Sequence, residues 1–229
     1  MSEWWTYHLS DFLLFSSRTY FRLFEIYNAA IWPAQLLAAG LGAAILALLW
    51  RGTGRVRDRV IPAMLAACWL WVGAAFLASR YASIKWAAVY FAWAFALEAL
   101  VLIWMGAVRG RLSFERTPNL AGRIGLLVFL FALLLEPLMG PLLGRGWKGV
   151  QVFGAAPDPT IVATVGVLLI ARGRGRGTLM VVPALWCAIT GGTLLAMRSP
   201  DFWIPPVAAA VATLLVLTPA RSWKIRRRA

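Results

Sequence analysis

Seven apolar stretches, each bounded by charged residues, constrain this chain more than any other feature. A helix that crosses a bilayer needs about 20 predominantly apolar residues. Reading between charges gives Ile26 to Trp50, Val60 to Ser79, Trp86 to Val108, Ile124 to Gly144, Pro159 to Ala171, Gly177 to Met197 and Phe202 to Ala220. The fifth is short, and reaches spanning length only if Ala155 to Asp158 join it; otherwise it belongs to a re-entrant segment. The chain is 61% hydrophobic and 14% charged, against about 45–50% and about 25% in soluble domains. The expected fold is therefore all-α: a polytopic membrane bundle of seven transmembrane helices.

The basic residues sort by connection. Of the 23 lysines and arginines, 16 lie in the second, fourth, sixth and last connections and seven in the others. Short cytoplasmic loops carry the excess, which predicts an outside N-terminus and a cytoplasmic C-terminus. The net charge of +14 then reads as a topology signal, and nucleic acid is not expected as a partner. The expected partners are the bilayer itself and anionic lipids at the cytoplasmic face. Lys224, Arg226, Arg227 and Arg228 in the tail are the headgroup contacts, at about 1 kcal/mol per basic residue. No signal peptide is expected, because no basic region precedes an apolar stretch near Met1.

Three regions follow: an aromatic amphipathic interfacial segment (1–28), the seven-helix domain (29–220) and a polybasic tail (221–229). In the first, Ser16 or Ser17 can cap a helix carrying Tyr20, Phe21, Phe24 and Tyr27 largely on one face. The rings would meet lipid or the bundle; the other reading is an aromatic belt that only anchors the protein. Pro33 should kink the chain where it enters the membrane. The connection from Gly144 to Thr160 is glycine-rich and half apolar, with Asp158 and Pro159 reading as N-cap and first helical residue. It is either a binding segment at membrane depth or a capped surface loop.

Residues Trp4 to Tyr7, Asp11 to Ser16, Thr19, Tyr20, Leu23 to Glu25, Tyr27, Asn28, Trp32 and Pro33 form a recognisable opening. With Tyr90 to Glu98, Gly149 to Gly154, Pro157 to Thr160 and Leu185 to Cys187, the chain resembles an uncharacterised family of small bacterial polytopic membrane proteins. Its members are often machine-labelled as permeases of the major facilitator type. The resemblance implies a bacterial inner-membrane protein, and supplies neither reaction nor ligand. Seven spans do not make a transporter of that superfamily, which is built from two six-span halves.

Ionisable groups inside spans are costly and mark functional candidates. Glu98 and Glu136 are such groups, placed roughly 10 Å apart in depth, so a shared proton pair is not expected. A relay with two stations, or simple hydrogen bonding to neighbours, are the open readings. Tyr90 and Glu98 fall on one stripe of span three with Trp93 nearby, which suits a cation or amine ligand or ordinary packing. Glu25, Asn28, Gln151 and Asp158 are outer-side candidates for the same cavity.

Other chemistries lack their residues. The single histidine, His8, offers no histidine-rich metal or haem site, and Cys68 and Cys187 read as packing. The run Arg172 to Gly177 lacks the Lys-Ser/Thr of a phosphate loop, and span seven has no lysine for a retinal Schiff base. No catalytic motif and no cofactor are expected. The function that fits best is passage of a small solute or ion through a polar cavity. The alternative is a sensor or accessory scaffold that binds a ligand or partner subunit on its outer face. A second copy of the chain is a further candidate partner.

Overall fold

The computed structural model describes residues 15–114, 120–173 and 175–217. Within them the chain is all-helical, with no strands. Nine α-helices occur among the described residues: α1 (Ser17–Ile31), α2 (Ala34–Arg51), α3 (Gly54–Trp71), α4 (Ala88–Val101), α5 (Leu120–Leu130), α6 (Glu136–Leu142), α7 (Pro157–Ile170), α8 (Val181–Ala196) and α9 (Ile204–Leu217). Wide π-helical turns prolong α3 through Val72–Ala78 and α4 through Leu102–Val108, and a third, Phe131–Leu135, joins α5 to α6. Five helical units are long and apolar enough to cross a membrane: Ala34–Arg51, Gly54–Ser83, Ala88–Val108, Leu120–Leu142 and Thr178–Ala196. Pro157–Ile170 and Ile204–Val216 are shorter apolar helices.

The connections gather at two ends of the bundle. At the end that carries α1, Asn28 binds the 148–150 segment, Tyr20 meets Tyr81 at 5.8 Å, and Arg145 binds Asp201. At the far end Ser113 and Arg172 exchange backbone hydrogen bonds of 2.9 and 2.7 Å. There Asp58 Oδ1 also accepts from the Phe114 amide at 3.1 Å.

Local chemistry explains the first corner. Ser16 is the N-cap of α1, its Oγ accepting from the Thr19 amide at 3.2 Å. Tyr20, Phe24 and Tyr27 are buried against the bundle, with Phe24 stacked on Phe76 at 4.6 Å. The aromatic face of α1 therefore packs on protein. Pro33 ends a helix here instead of kinking one. Trp32 adopts ψ 131° and α1 stops at Ile31, because the residue before proline avoids the α region and proline has no amide hydrogen. The first long apolar helix begins at Ala34, not at Ile26.

The start of α7 also differs from expectation. The helix begins at Pro157 with Ala156 at the N-cap, so Asp158 lies inside the first turn. Pro157 suits the first position because its missing donor would be unpaired there anyway. Asp158 does not cap its own helix; it binds α8.

Helix α7 is the spine. Every residue from Pro157 to Leu169 is buried, with α5, α8, α9 and α3 around it. Lipid tails are as apolar as leucine, so close packing and hydrogen bonds hold such helices together. At the α5–α7 crossing a Cβ on Gly166 would come within 2.7 Å of the Gly125 carbonyl oxygen and the Phe129 amide nitrogen. Only hydrogen fits on either glycine there. Lower on the same helix, Trp69 Nε1 donates to Thr164 Oγ1 at 2.9 Å, and that hydroxyl donates to the Thr160 carbonyl at 2.8 Å.

Candidate functional site: an acid-lined cavity at the α1 end

The last part of the connection between α6 and α7 folds inward: Phe153, Ala155 and Ala156 are buried. A buried loop must find partners for its backbone polar groups, and side chains supply them. Tyr27 Oη donates to the Ala155 carbonyl at 3.0 Å. Asn28 Nδ2 donates to the carbonyls of Lys148 and Val150 at 2.9 and 2.8 Å. Thr160 Oγ1 accepts from the Gly154 amide at 2.9 Å. Tyr27 in turn accepts from Trp71 Nε1 at 3.2 Å.

Between this loop and α6, α7 and the α8–α9 connection lies a cavity of about 40 Å³, room for a few waters. Three of the chain's nine acids line it: Glu136, Asp158 and Asp201, with Gln151, Arg145 and Phe21. Asp158 Oδ1 accepts from Trp186 Nε1 at 2.8 Å and Oδ2 from Thr190 Oγ1 at 3.2 Å. Trp186 and Thr190 are four residues apart on α8 and so share a face.

Glu136 follows the wide turn Phe131–Leu135, and Pro137 follows it. Pro137 cannot donate to the carbonyl four residues earlier, which disrupts the helix at this point. One oxygen of Glu136, Oε2, is buried without a hydrogen-bond partner. A buried oxygen without a partner requires an explanation, and the capacity to accept a hydrogen bond from a ligand is one.

Arg145 and Asp201 close the cavity's rim. The guanidinium donates to both Asp201 oxygens, at 2.8 and 2.6 Å, and to Ser199 Oγ at 2.5 Å. It also stacks over the Phe21 ring at 4.1 Å. Burial pushes the Asp201 carboxyl up, but the Arg145 and Ser199 hydrogen bonds and the Arg145 charge outweigh it and hold the group below its ordinary range.

Of the expected site residues, Glu136, Gln151 and Asp158 come together here. Asn28 is adjacent through the loop, and Glu25 packs beside Gly149 while paired with Arg22. Glu98, Tyr90 and Trp93 do not line this cavity. Glu98 is 2% exposed, with Oε1 unpartnered, whereas Tyr90 and Trp93 are 66% and 71% exposed on the outside of the bundle. At 100° per residue, Tyr90 and Glu98 lie about 80° apart around α4 and Trp93 and Glu98 about 140°. Lys224, Arg226, Arg227 and Arg228 are outside the described residues, as is the first half of the 1–28 region.

Arg145, Ser199, Asp201, Trp186 and Thr190 were not expected in the site. Arg145 and Asp201 are 56 residues apart, and no helical period connects them. Trp186 and Thr190 did carry a signal, an indole and a hydroxyl at i, i+4 in an apolar helix. Among the described residues no group of three or more histidine, cysteine, aspartate or glutamate side chains could hold a metal ion.

A family model describing a family of unknown function, DUF6064, matches residues 17–227. The chain belongs to the DUF6064 family. The match starts at the first residue of α1, so the aromatic helix, the inward loop and the cavity all lie within the span of this DUF6064 protein that defines the family. No curated protein and no solved structure matches it.

Proposed function

We propose that this protein is a seven-span bacterial inner-membrane protein, N-terminus outside, that passes a small solute or ion through the cavity at its α1 end. Five helices of spanning length and the gathering of connections at two ends support seven crossings, α2, α3, α4, α5–α6, α7, α8 and α9. The 16 to seven division of basic residues supports a cytoplasmic far end. The observation that carries the transport reading is the unpartnered Glu136 oxygen in a cavity shared with Asp158 and Asp201. A cationic or hydrogen-bond-donating solute would satisfy that oxygen, and the wide turn Phe131–Leu135 beside it is the kind of local helix irregularity found at functional sites.

The test is flux in proteoliposomes with an interior pH- or ion-sensitive dye. Glu136→Gln combined with Asp158→Asn should lower flux by about tenfold or more, since removing one buried charge–ligand interaction costs about 1.5–3 kcal/mol. Unchanged flux in a correctly folded variant would refute the reading. The small size of the cavity, about 40 Å³, favours a second reading: a sensor or accessory scaffold that binds a ligand or partner subunit at this face. That protein would show no flux even as wild type, and would co-purify with its partner.

A further inference from the structure

A second cavity, at the far end, has the opposite chemistry. It measures about 260 Å³ and is lined by Arg55, Asp58, Arg59, Arg109 and Gly110, close to the lower end of ligand pockets at roughly 300–1,000 Å³. Arg55 and Arg59 are four residues apart on the first turns of α3 and so project from one face. Arg109 follows the wide turn that ends the α4 unit and lies over the Trp104 ring at 4.7 Å. Among the described residues none of these three arginines pairs with a carboxylate. Asp58, the acid at this cavity, is already occupied: its Oδ1 accepts from Arg57 Nε and the Phe114 amide, both at 3.1 Å. The Thr53 cap makes no side-chain bond to the start of α3.

Three guanidinium groups around one cavity, with no carboxylate partner among the described residues, are suited to hold a phosphate oxyanion. The geometry points to a binding site for a phosphate-bearing anion here, held by Arg55, Arg59 and Arg109. The flanks indicate the source. Val56, Trp104 and Val108 are 72%, 55% and 52% exposed beside the arginines, an apolar rim suited to the acyl chains of an anionic phospholipid whose headgroup enters the cavity. Basic cavities between helices at a cytoplasmic face take lipid headgroups in this way. A soluble phosphate offers the same oxyanion but makes no use of that rim. The inference requires a membrane protein and is independent of transport.

The full-length protein, purified in detergent, is examined by native mass spectrometry with added phosphatidylglycerol, phosphatidylcholine or inorganic phosphate. Phosphatidylglycerol should be retained and phosphatidylcholine lost. In R55Q/R59Q/R109Q, phosphatidylglycerol retention should fall by about tenfold or more, while R51Q/R111Q/R123Q, with equal charge loss at the same end, should retain it. R55K/R59K/R109K should retain part, which separates loss of binding from loss of fold. Binding of inorganic phosphate that displaces the lipid and depends on the same three arginines supports the site and assigns it a soluble ligand. Equal loss in the cavity and control variants, or no retention of either anion by wild type, overturns it.

Discussion

Helices α2 and α7 are both apolar segments, and they live in different surroundings. In α2 only Ala38, Gly42 and Ile45 are buried, and Leu37 is 74% exposed; in α7 all 13 residues from Pro157 to Leu169 are buried. Apolarity separates membrane from water, but it does not separate protein from lipid. Residue shape does. Helix α2 is mostly leucine and alanine, whereas α7 carries Ile161, Val162, Val165, Val167, Thr160 and Thr164 around Gly166. Branched side chains have little rotamer freedom left to lose on packing, and threonine brings hydrogen bonds that lipid cannot supply.

That contrast can be broken most sharply at its glycines. Gly166→Leu should abolish the folded state, since its Cβ would meet backbone on α5 at 2.7 Å. Overpacking of this kind costs about 3 kcal/mol or more. Gly40→Leu in α2, where nothing lies within 4 Å, should leave the protein intact. Monodispersity in size-exclusion chromatography reads both, and a well-behaved G166L protein would mean that α7 is not tightly held.

A smaller effect is expected from Thr164→Val. It leaves the buried Trp69 indole N–H without its acceptor and should cost about 1–3 kcal/mol in denaturant unfolding. Leu37→Ala on α2 should stay within about 0.5 kcal/mol.

The smallest effect concerns the rim above the start of α7. The folded Asp201 carboxyl titrates below its unfolded value, so its contribution is present above about pH 3.9 and is lost as pH falls through the lower folded pKa. The melting temperature should therefore fall between about pH 5 and pH 2, and Asp201→Asn should flatten that part of the curve. A wild-type curve that is level in this window removes Asp201 as a stabilising group.

The same contrast shows what the sequence could disclose. Charge spacing located most of the apolar helices to within a few residues, because charges favour helix ends; the first was the exception, since Ile26 to Ile31 belong to α1 and the apolar helix starts at Ala34. Ser16 was legible as a cap because capping is local. Asp158 was misplaced by the same local logic: an aspartate before proline resembles a cap, and nothing nearby reveals that Trp186 and Thr190 compete for its carboxylate. Tyr90 and Trp93 were drawn toward Glu98 by an i, i+4 rule that drifts around the helix over two turns. Arg145 and Asp201 were visible only as loop charges, since their pairing exists in three dimensions alone.

The bonds between α1 and the inward loop also set an order of events during synthesis. Tyr27 awaits a partner 128 residues later, the Ala155 carbonyl. At about 5–20 residues per second, a ribosome needs roughly 6–25 seconds to cover that interval. For that time α1 has no loop to hold, and the Asn28 amide lacks the Lys148 and Val150 carbonyls that occupy it in the finished protein. A helix made early is thus among the last to take its final shape.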